Sequence, residues 1–255
     1  MNKLTTNEIK TLLDKITQLD DPLFESLQED SRKSVQQAIK STKNRLTKAE
    51  QLKAHFEEMK EFENQGYLAG YEYIAGIDEV GRGPLAGPVV TAAVILPKDF
   101  NLYEVNDSKQ LSLKKRNELF EKIEEQAIAI GIGIKSHDVI DDVNIYQATK
   151  LAMNEAVANL SIQPDLLLID AMTLETNIPQ EKIIKGDARS ISIACASIIA
   201  KVIRDRMMED YDLIHPGYGF SKNAGYGTKE HLLGLETQGI CPIHRKTFAP
   251  IKNMI

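Results

Sequence analysis

The chain has 255 residues, 42% of them hydrophobic, with 31 Lys and Arg against 37 Asp and Glu for a formal net charge of -6. That supplies apolar material for a sizeable core, and the acid excess excludes a protein that grips polyanions with its whole surface, while leaving local basic patches open. Met1 to Asp14 is polar and helical in pattern, and no apolar run approaches the roughly 18 residues of a membrane span, so a cytoplasmic protein without a membrane partner is expected. Cys195 and Cys241 have neither the spacing nor the company of a zinc site and are expected as free thiols.

Residues 1–70 read as an N-terminal helical extension. Thr6 or Asn7 is expected to cap a first helix carrying Ile9, Leu12, Leu13 and Ile16, and Asp20-Asp21-Pro22 breaks it before a short helical segment. From Ser31 to Glu63 a long polar helix is predicted, with Val35, Ala38, Ile39, Leu46, Ala49, Leu52, Phe56 and Met59 along one stripe and Gly66 and Gly70 ending it. Its middle is basic (Arg32, Lys33, Lys40, Lys43, Arg45, Lys48, Lys53). Such a run is either a solvated helix face or a clamp that neutralises phosphates without reading sequence.

From Tyr71 the texture becomes mixed α/β, and residues 71–255 read as one further domain. Ile74-Ala75-Gly76-Ile77 is a strand that ends near Asp78-Glu79. A Gly-rich loop, Gly81 to Gly87, leads to a β-branched strand over Val89 to Leu96, so the two form a hairpin. A helix capped by Ser112, a strand at Gly131 to Lys135 and an amphipathic helix from Asn144 to Leu160 follow. Leu166 to Ile169 is a buried strand that ends on Asp170, and Lys182 to Ile184 is a brief one running into Lys185-Gly186-Asp187. Ser190 begins a long helix, small and apolar through Ala200, and Thr228 caps a last helix closed near Gly239.

Asp78, Glu79, Asp170 and Asp187 therefore stand at the ends of strands or just before a buried helix. Each alone reads more often as a turn or cap residue, and the joint pattern is what counts. Adjacent strand residues point to opposite faces, so Asp78 and Glu79 project the same way only if the strand twists or stops there. Carboxylates brought together raise one another's pKa and repel unless a cation joins them. No His or Cys accompanies these four, which favours Mg2+ or Mn2+ over Zn2+ or Cu2+.

Several motifs in order resemble one family. They are Ile77-Asp78-Glu79-Val80-Gly81-Arg82-Gly83-Pro84-Leu85-Ala86-Gly87-Pro88-Val89, Asn106-Asp107-Ser108-Lys109-Gln110-Leu111-Ser112, Leu168-Ile169-Asp170, Lys185-Gly186-Asp187, Ser192 to Asp205 and Gly225-Tyr226-Gly227-Thr228. From Tyr73 to Phe248 the chain resembles the type 2 ribonuclease H family, ribonuclease HII. The resemblance implies a ribonuclease H-like fold, a mixed sheet flanked by helices with a C-terminal helical segment that helps hold nucleic acid. It implies that Asp78, Glu79, Asp170 and Asp187 match the family's metal-binding acids, with two Mg2+ or Mn2+ ions hydrolysing a phosphodiester to 5′-phosphate and 3′-hydroxyl ends. Gly81-Arg82-Gly83 matches the family's backbone sensor of the ribose 2′-hydroxyl, and Tyr226 the aromatic that packs on the neighbouring deoxyribose. Lys109, Arg204, Lys222 and Lys229 are candidate phosphate contacts. Ala171 departs from the pattern, since many members carry Gly there.

The partners this implies are RNA/DNA hybrid and duplex DNA containing ribonucleotides, bound by a monomer. Two alternatives stay open: a ribonuclease HIII-like enzyme without single-ribonucleotide incision, and a noncatalytic hybrid-binding protein. Arg82 and the helical character of residues 1–70 favour the type that incises at a single embedded ribonucleotide. The Gly81 to Gly83 loop and Tyr226 argue against a DNA strand-transfer enzyme on the same scaffold.

Overall fold

The computed structural model describes residues 4–255, so the first three residues of the predicted extension lie outside it. The chain divides into a compact unit ending at Glu57 and a second from Glu58 to Ile255. Among the described residues no helix is long and apolar enough to cross a membrane.

The first unit holds α1 (Thr6–Asp14), α2 (Pro22–Ser26) and most of α3 (Lys33–Met59), closed around Ile9, Leu13, Phe24, Leu27, Val35 and Leu46. The first cap is Thr5, one residue before the expected Thr6 or Asn7. Thr5 Oγ1 accepts from the Glu8 amide while the Glu8 carboxylate accepts from the Thr5 amide, a reciprocal capping box that satisfies two orphan donors. Asp21 caps α2 with Pro22 in its first turn, as the break signal indicated.

The long predicted helix is interrupted. It stops at Met59, and after Lys60 a separate α4 (Glu61–Leu68) begins. Gly66 lies inside α4 rather than ending it, because its bare face packs against Ile74; Gly70, at φ 96°, comes after the helix.

The second unit is built on a five-stranded mixed sheet in the order β3-β2-β1-β4-β5. Its strands are β1 (Ile74–Val80), β2 (Val89–Ile95), β3 (Ala129–Lys135), β4 (Leu166–Asp170) and β5 (Gln180–Ile183). β1 and β2 form the predicted antiparallel hairpin, and β3 pairs antiparallel with β2. β4 lies parallel to β1, and β5 parallel to β4. One face, with Ala75, Ile77, Leu167 and Ile169, packs with Met153 and Ala156 of α6 (His137–Ala158). The other, with Ile74, Leu166 and Leu168, packs with Ile193 of α7 (Ile191–Ile214). This is the ribonuclease H-like layering expected, with α5 (Leu113–Gln126), α8 (Phe220–Asn223) and α9 (Lys229–Gln238) completing it.

Ser112 and Thr228 cap α5 and α9 as predicted, and Ser190, expected to begin the long helix, is the N-cap of α7. The helix expected from Asn144 starts earlier, at His137 under a Ser136 cap. Asn144 (φ 69°, ψ 163°) interrupts it, and its side-chain oxygen accepts from the amides of Tyr146 and Gln147, so Asn144 re-caps the second half. At Gly76 a side chain would overlap the backbone of Ser192 and Ile193, so glycine there lets the start of α7 lie directly on β1.

Candidate active site

Parallel pairing explains how distant acids meet. β1 and β4 run the same way in a register that sets Ile77 beside Ile169, so Asp78 and Asp170 leave neighbouring strands at the same end of the sheet. β5 pairs Ile183 with Asp170, then turns into a 3₁₀ segment, Gly186–Ala188, that carries Asp187. In open sheets the carboxyl ends of parallel strands are where ligands bind. The expectation that β1 ends or twists at Asp78-Glu79 needs correction. Regular pairing with β2 continues through Glu79 opposite Thr91 to Val80 opposite Val90, because the hairpin partner supplies hydrogen bonds beyond the acids.

Asp78 is buried, only 4% exposed, and faces α7, where Ser197 makes a hydrogen bond to its carboxylate. Burial first, and then the charges of Glu79 and Asp170, push the Asp78 carboxyl far above the usual range against the pull of Ser197. Burial lifts Glu79 to about 7; Asp170 adds to this and Arg82, 3.4 Å away, opposes it. Asp170 is raised chiefly by burial, against the Gly186 amide that donates to its Oδ1 at 2.7 Å, and further by Asp187. Lys109 Nζ lies 3.2 Å from Asp187. Burial disfavours this ammonium, yet its bond to Asp187 and the charges of Asp187, Asp107 and Asp78 outweigh that and raise it.

The four predicted acids thus form one electrostatic neighbourhood with Lys109 and Arg82 as counter-charges. Among the described residues no three His, Cys, Asp or Glu side chains are gathered tightly enough to hold an ion as they stand. The donors nonetheless fit a hard divalent cation: all are carboxylate oxygens, and Glu79 Oε2 is buried without a hydrogen-bond partner. A groove of about 570 Å³ opens over Asp170 and Asp187, between Lys109 and Lys185. Ala171 on its rim has φ 50°, the left-handed conformation that suits glycine, the residue the family resemblance led us to expect there.

The loop after β1 is held from below by two buried arginines. Arg245 donates from Nη1 to the Arg82 carbonyl at 2.9 Å, from Nη2 to Gly81 and Gly87, and from Nε to Gly87 at 3.0 Å. Arg204 donates to Pro88 at 2.9 Å, Ala86 at 3.2 Å and Ala224 at 2.9 Å. Both residues are 0% exposed. Burial lowers Arg204 to about 10; burial and the neighbouring Arg204 charge lower Arg245 to about 9. Arg204 is therefore not a phosphate contact. Its guanidinium is sealed under the loop and its donors already serve carbonyls.

Gly81 is buried at φ 92°, Arg82 is half-buried and Gly83 is exposed. Tyr226 is 46% exposed, and its ring edge faces Gly83. Its carbonyl is tied to a buried imidazole pair. The Cys241 amide donates to His244 Nδ1 at 2.8 Å, so His244 Nε2 carries the proton given to His231 Nε2 at 2.9 Å, and His231 Nδ1–H is left for the Tyr226 carbonyl at 3.0 Å. Lys222 is exposed and lies 3.4 Å from Glu230, and Lys229 is exposed at the start of α9.

Sequence reasoning assigned no role to Arg245 or Ser197. Arg245 stood among the last charged residues of the tail, and its only signal was the His-Arg-Lys cluster there. Ser197 was hidden in the small-residue half of α7, where its bond to Asp78 and its 2.9 Å contact with Ser108 depend on helix rotation.

Two family descriptions match the chain, "Ribonuclease HII" over residues 75–251 and "Ribonuclease HII N-terminal domain" over residues 5–67. A ribonuclease HII of Enterococcus faecalis is 61% identical over 255 residues, covering 100% of both chains. One of Listeria monocytogenes is 58% identical, covering 96% of this chain and 94% of the relative. The crystal structure of ribonuclease H2 from Pyrococcus horikoshii superposes with a TM-score of 0.61 at 26% identity, covering 72% of this chain and 97% of that one.

Proposed function

The chain belongs to the ribonuclease HII family and is an endonuclease that hydrolyses phosphodiester bonds; from that premise we propose a divalent-metal-dependent enzyme that cuts the RNA strand of RNA/DNA hybrids and incises at single ribonucleotides in duplex DNA. The observation that carries the metal is the set of mutually repelling carboxylates gathered near the carboxyl ends of three adjacent strands, one of them with a buried oxygen that has no hydrogen-bond partner. Asp78, Glu79, Asp170 and Asp187 would hold Mg2+ or Mn2+. Bound there, such ions would supply activation of a water and charge stabilisation at the departing oxygen, in keeping with 5′-phosphate and 3′-hydroxyl ends.

The chain's own groups do the rest. Ser197 orients the Asp78 carboxylate from α7, and the Gly186 amide orients Asp170. The Gly81-Arg82-Gly83 backbone, with the Gly81 and Arg82 carbonyls turned inward to Arg245, offers its outer side to a ribose 2′-hydroxyl. Tyr226 packs on the adjoining deoxyribose. Lys109, Lys222 and Lys229 meet phosphates from the rim, while Arg204 acts beneath the loop.

We further assign residues 1–70 as an extension that steadies the duplex for a monomeric, cytoplasmic enzyme. Within the first unit Arg32 pairs with Asp30, Arg45 donates to the Leu13 and Ile16 carbonyls, and Lys43 lies over Phe24. Lys33, Lys40, Lys48 and Lys53 are exposed and would be the phosphate contacts.

Cleavage of three duplexes, with no ribonucleotide, one ribonucleotide or a long RNA tract, tests the substrate. Cutting of the second and third is expected; cutting of the tract alone would return the assignment to the ribonuclease HIII type. Asp78→Asn and Asp170→Asn should each reduce cleavage by more than about 100-fold, since residues that merely support a metal ligand cost up to that much. Full activity in either variant would refute the metal site.

A further inference from the structure

We infer that Glu63 of α4 is a positioning residue for the metal-binding acids, acting through the first turn of α7. Glu63 is 3% exposed, and its Oε1 accepts three hydrogen bonds: from Ser190 Oγ, from the Ser192 amide at 2.9 Å and from Ser192 Oγ at 2.6 Å. Its other oxygen, Oε2, is buried with no hydrogen-bond partner among the described residues. Burying a carboxylate with one oxygen orphaned is costly, so its place needs a compensating gain. That gain is the set of three hydrogen bonds Oε1 accepts at the start of a 24-residue helix, whose first amides have no partner within the helix.

The position governs two of the four acids. Ser190 is the N-cap of α7 and lies three residues after Asp187; its amide also bonds the Gly186 carbonyl at 2.9 Å, so fixing Ser190 fixes the turn that presents Asp187. In the other direction the same anchor sets the depth and rotation of α7, whose Ser192 backbone lies on Gly76 and whose Ser197 bonds Asp78. Glu63 falls within the span matched by the N-terminal family description, yet its partners all belong to the catalytic unit beginning at Glu58. The part of the extension that matters for chemistry is thus α4.

This inference rests on the metal-binding role proposed above for Asp78 and Asp187. The test compares the full-length wild type with Glu63→Ala and Glu63→Gln, measuring Mn2+ binding by electron paramagnetic resonance without substrate, then kcat and KM on a single-ribonucleotide duplex. Glu63→Ala should weaken Mn2+ binding and lower kcat by about tenfold or more, the range expected when a residue supporting a metal ligand is removed, with KM within about twofold of wild type. Glu63→Gln keeps an accepting oxygen and should recover most of both. Should Glu63→Ala not fold, Ser192→Ala removes one of the three bonds and should give a smaller loss of Mn2+ affinity in the same direction. A Glu63→Ala protein, or failing that Ser192→Ala, that melts earlier yet binds Mn2+ and turns over like wild type would overturn the inference and leave Glu63 a helix cap. A wild type that binds no Mn2+ would instead defeat the metal assignment itself.

Discussion

Arg245 donates from both Nε and Nη2 to the carbonyl of Gly87, 158 residues earlier in the chain, and its remaining hydrogen bonds go to Gly81 and Arg82. One planar guanidinium thus holds both ends of the loop against which Tyr226 stands. Its fork of donors suits several carbonyls at once, a task the single ammonium of lysine cannot reproduce.

Arg245→Met should therefore leave the buried carbonyls of Gly81 and Gly87 and the half-buried one of Arg82 without this partner. At about 1–3 kcal/mol for each polar group left unsatisfied, the expected loss is at least about 3 kcal/mol by urea denaturation. Arg245→Lys should recover only part of it. In whichever of the two still folds, preference for a single-ribonucleotide duplex over plain duplex DNA should fall. Unchanged stability and preference would mean the loop holds its shape without the clamp.

The two glycines of this loop should behave differently. A methyl at Gly81 would collide with the Arg204 guanidinium and force a side chain into φ 92°, so Gly81→Ala should lose about 1–3 kcal/mol or more. At Gly83 the methyl would stand 3.4 Å from Tyr226 Cε1, an ordinary contact. Gly83→Ala should keep its stability within about 0.5 kcal/mol, as exposed substitutions do. It should nonetheless lose affinity for the ribonucleotide-containing duplex, because the added group occupies the approach to the Gly83 backbone. Retention of tight binding there would remove Gly83 from the substrate surface.

Burial raises Glu79 from 4.5 to about 7, which fixes the sign of a pH effect. Between those values the folded state holds a proton that the unfolded chain releases, so this group's contribution to the stability of the metal-free protein declines as pH rises from 4.5 to 7. A bound cation competes with that proton. The thermal stabilisation given by added Mg2+ should accordingly be larger at pH 8 than at pH 6. His244, lowered to about 4 by burial, acts with the opposite sign: as pH falls from 6.5 toward 4 the unfolded chain takes up a proton the buried imidazole refuses. That contribution is common to the metal-free and metal-bound protein and cancels in the difference. Equal stabilisation at the two pH values would show that Glu79 does not exchange its proton for the metal.

Local signals in the sequence determined much of this protein. Ser112 and Thr228 cap the helices they were expected to cap, because an N-cap needs only a short oxygen side chain and the next turn of backbone. The β1–β2 hairpin and the strand ending on Asp170 were likewise legible, as was the family resemblance carried by the run from Ile77 to Val89. Where the local signal was crowded, as with Thr5 beside Thr6 and Asn7, the cap fell one residue away because Glu8 closes the box from Thr5.

Tertiary structure decided what depended on direction and depth. Parallel pairing of β4 with β1 brings Asp170 beside Asp78, and no spacing in the chain encodes which strands pair. Arg204 and Lys109 looked alike as basic residues near a motif. One lies wholly beneath the loop with its donors on carbonyls, and the other reaches Asp187 from the rim. Helix rotation makes that difference, and it likewise turned an ordinary glutamate, Glu63, toward the start of α7. A side chain's type sets the bonds it is able to make, but only the packing of one element on another sets which partners it meets and whether water competes for them.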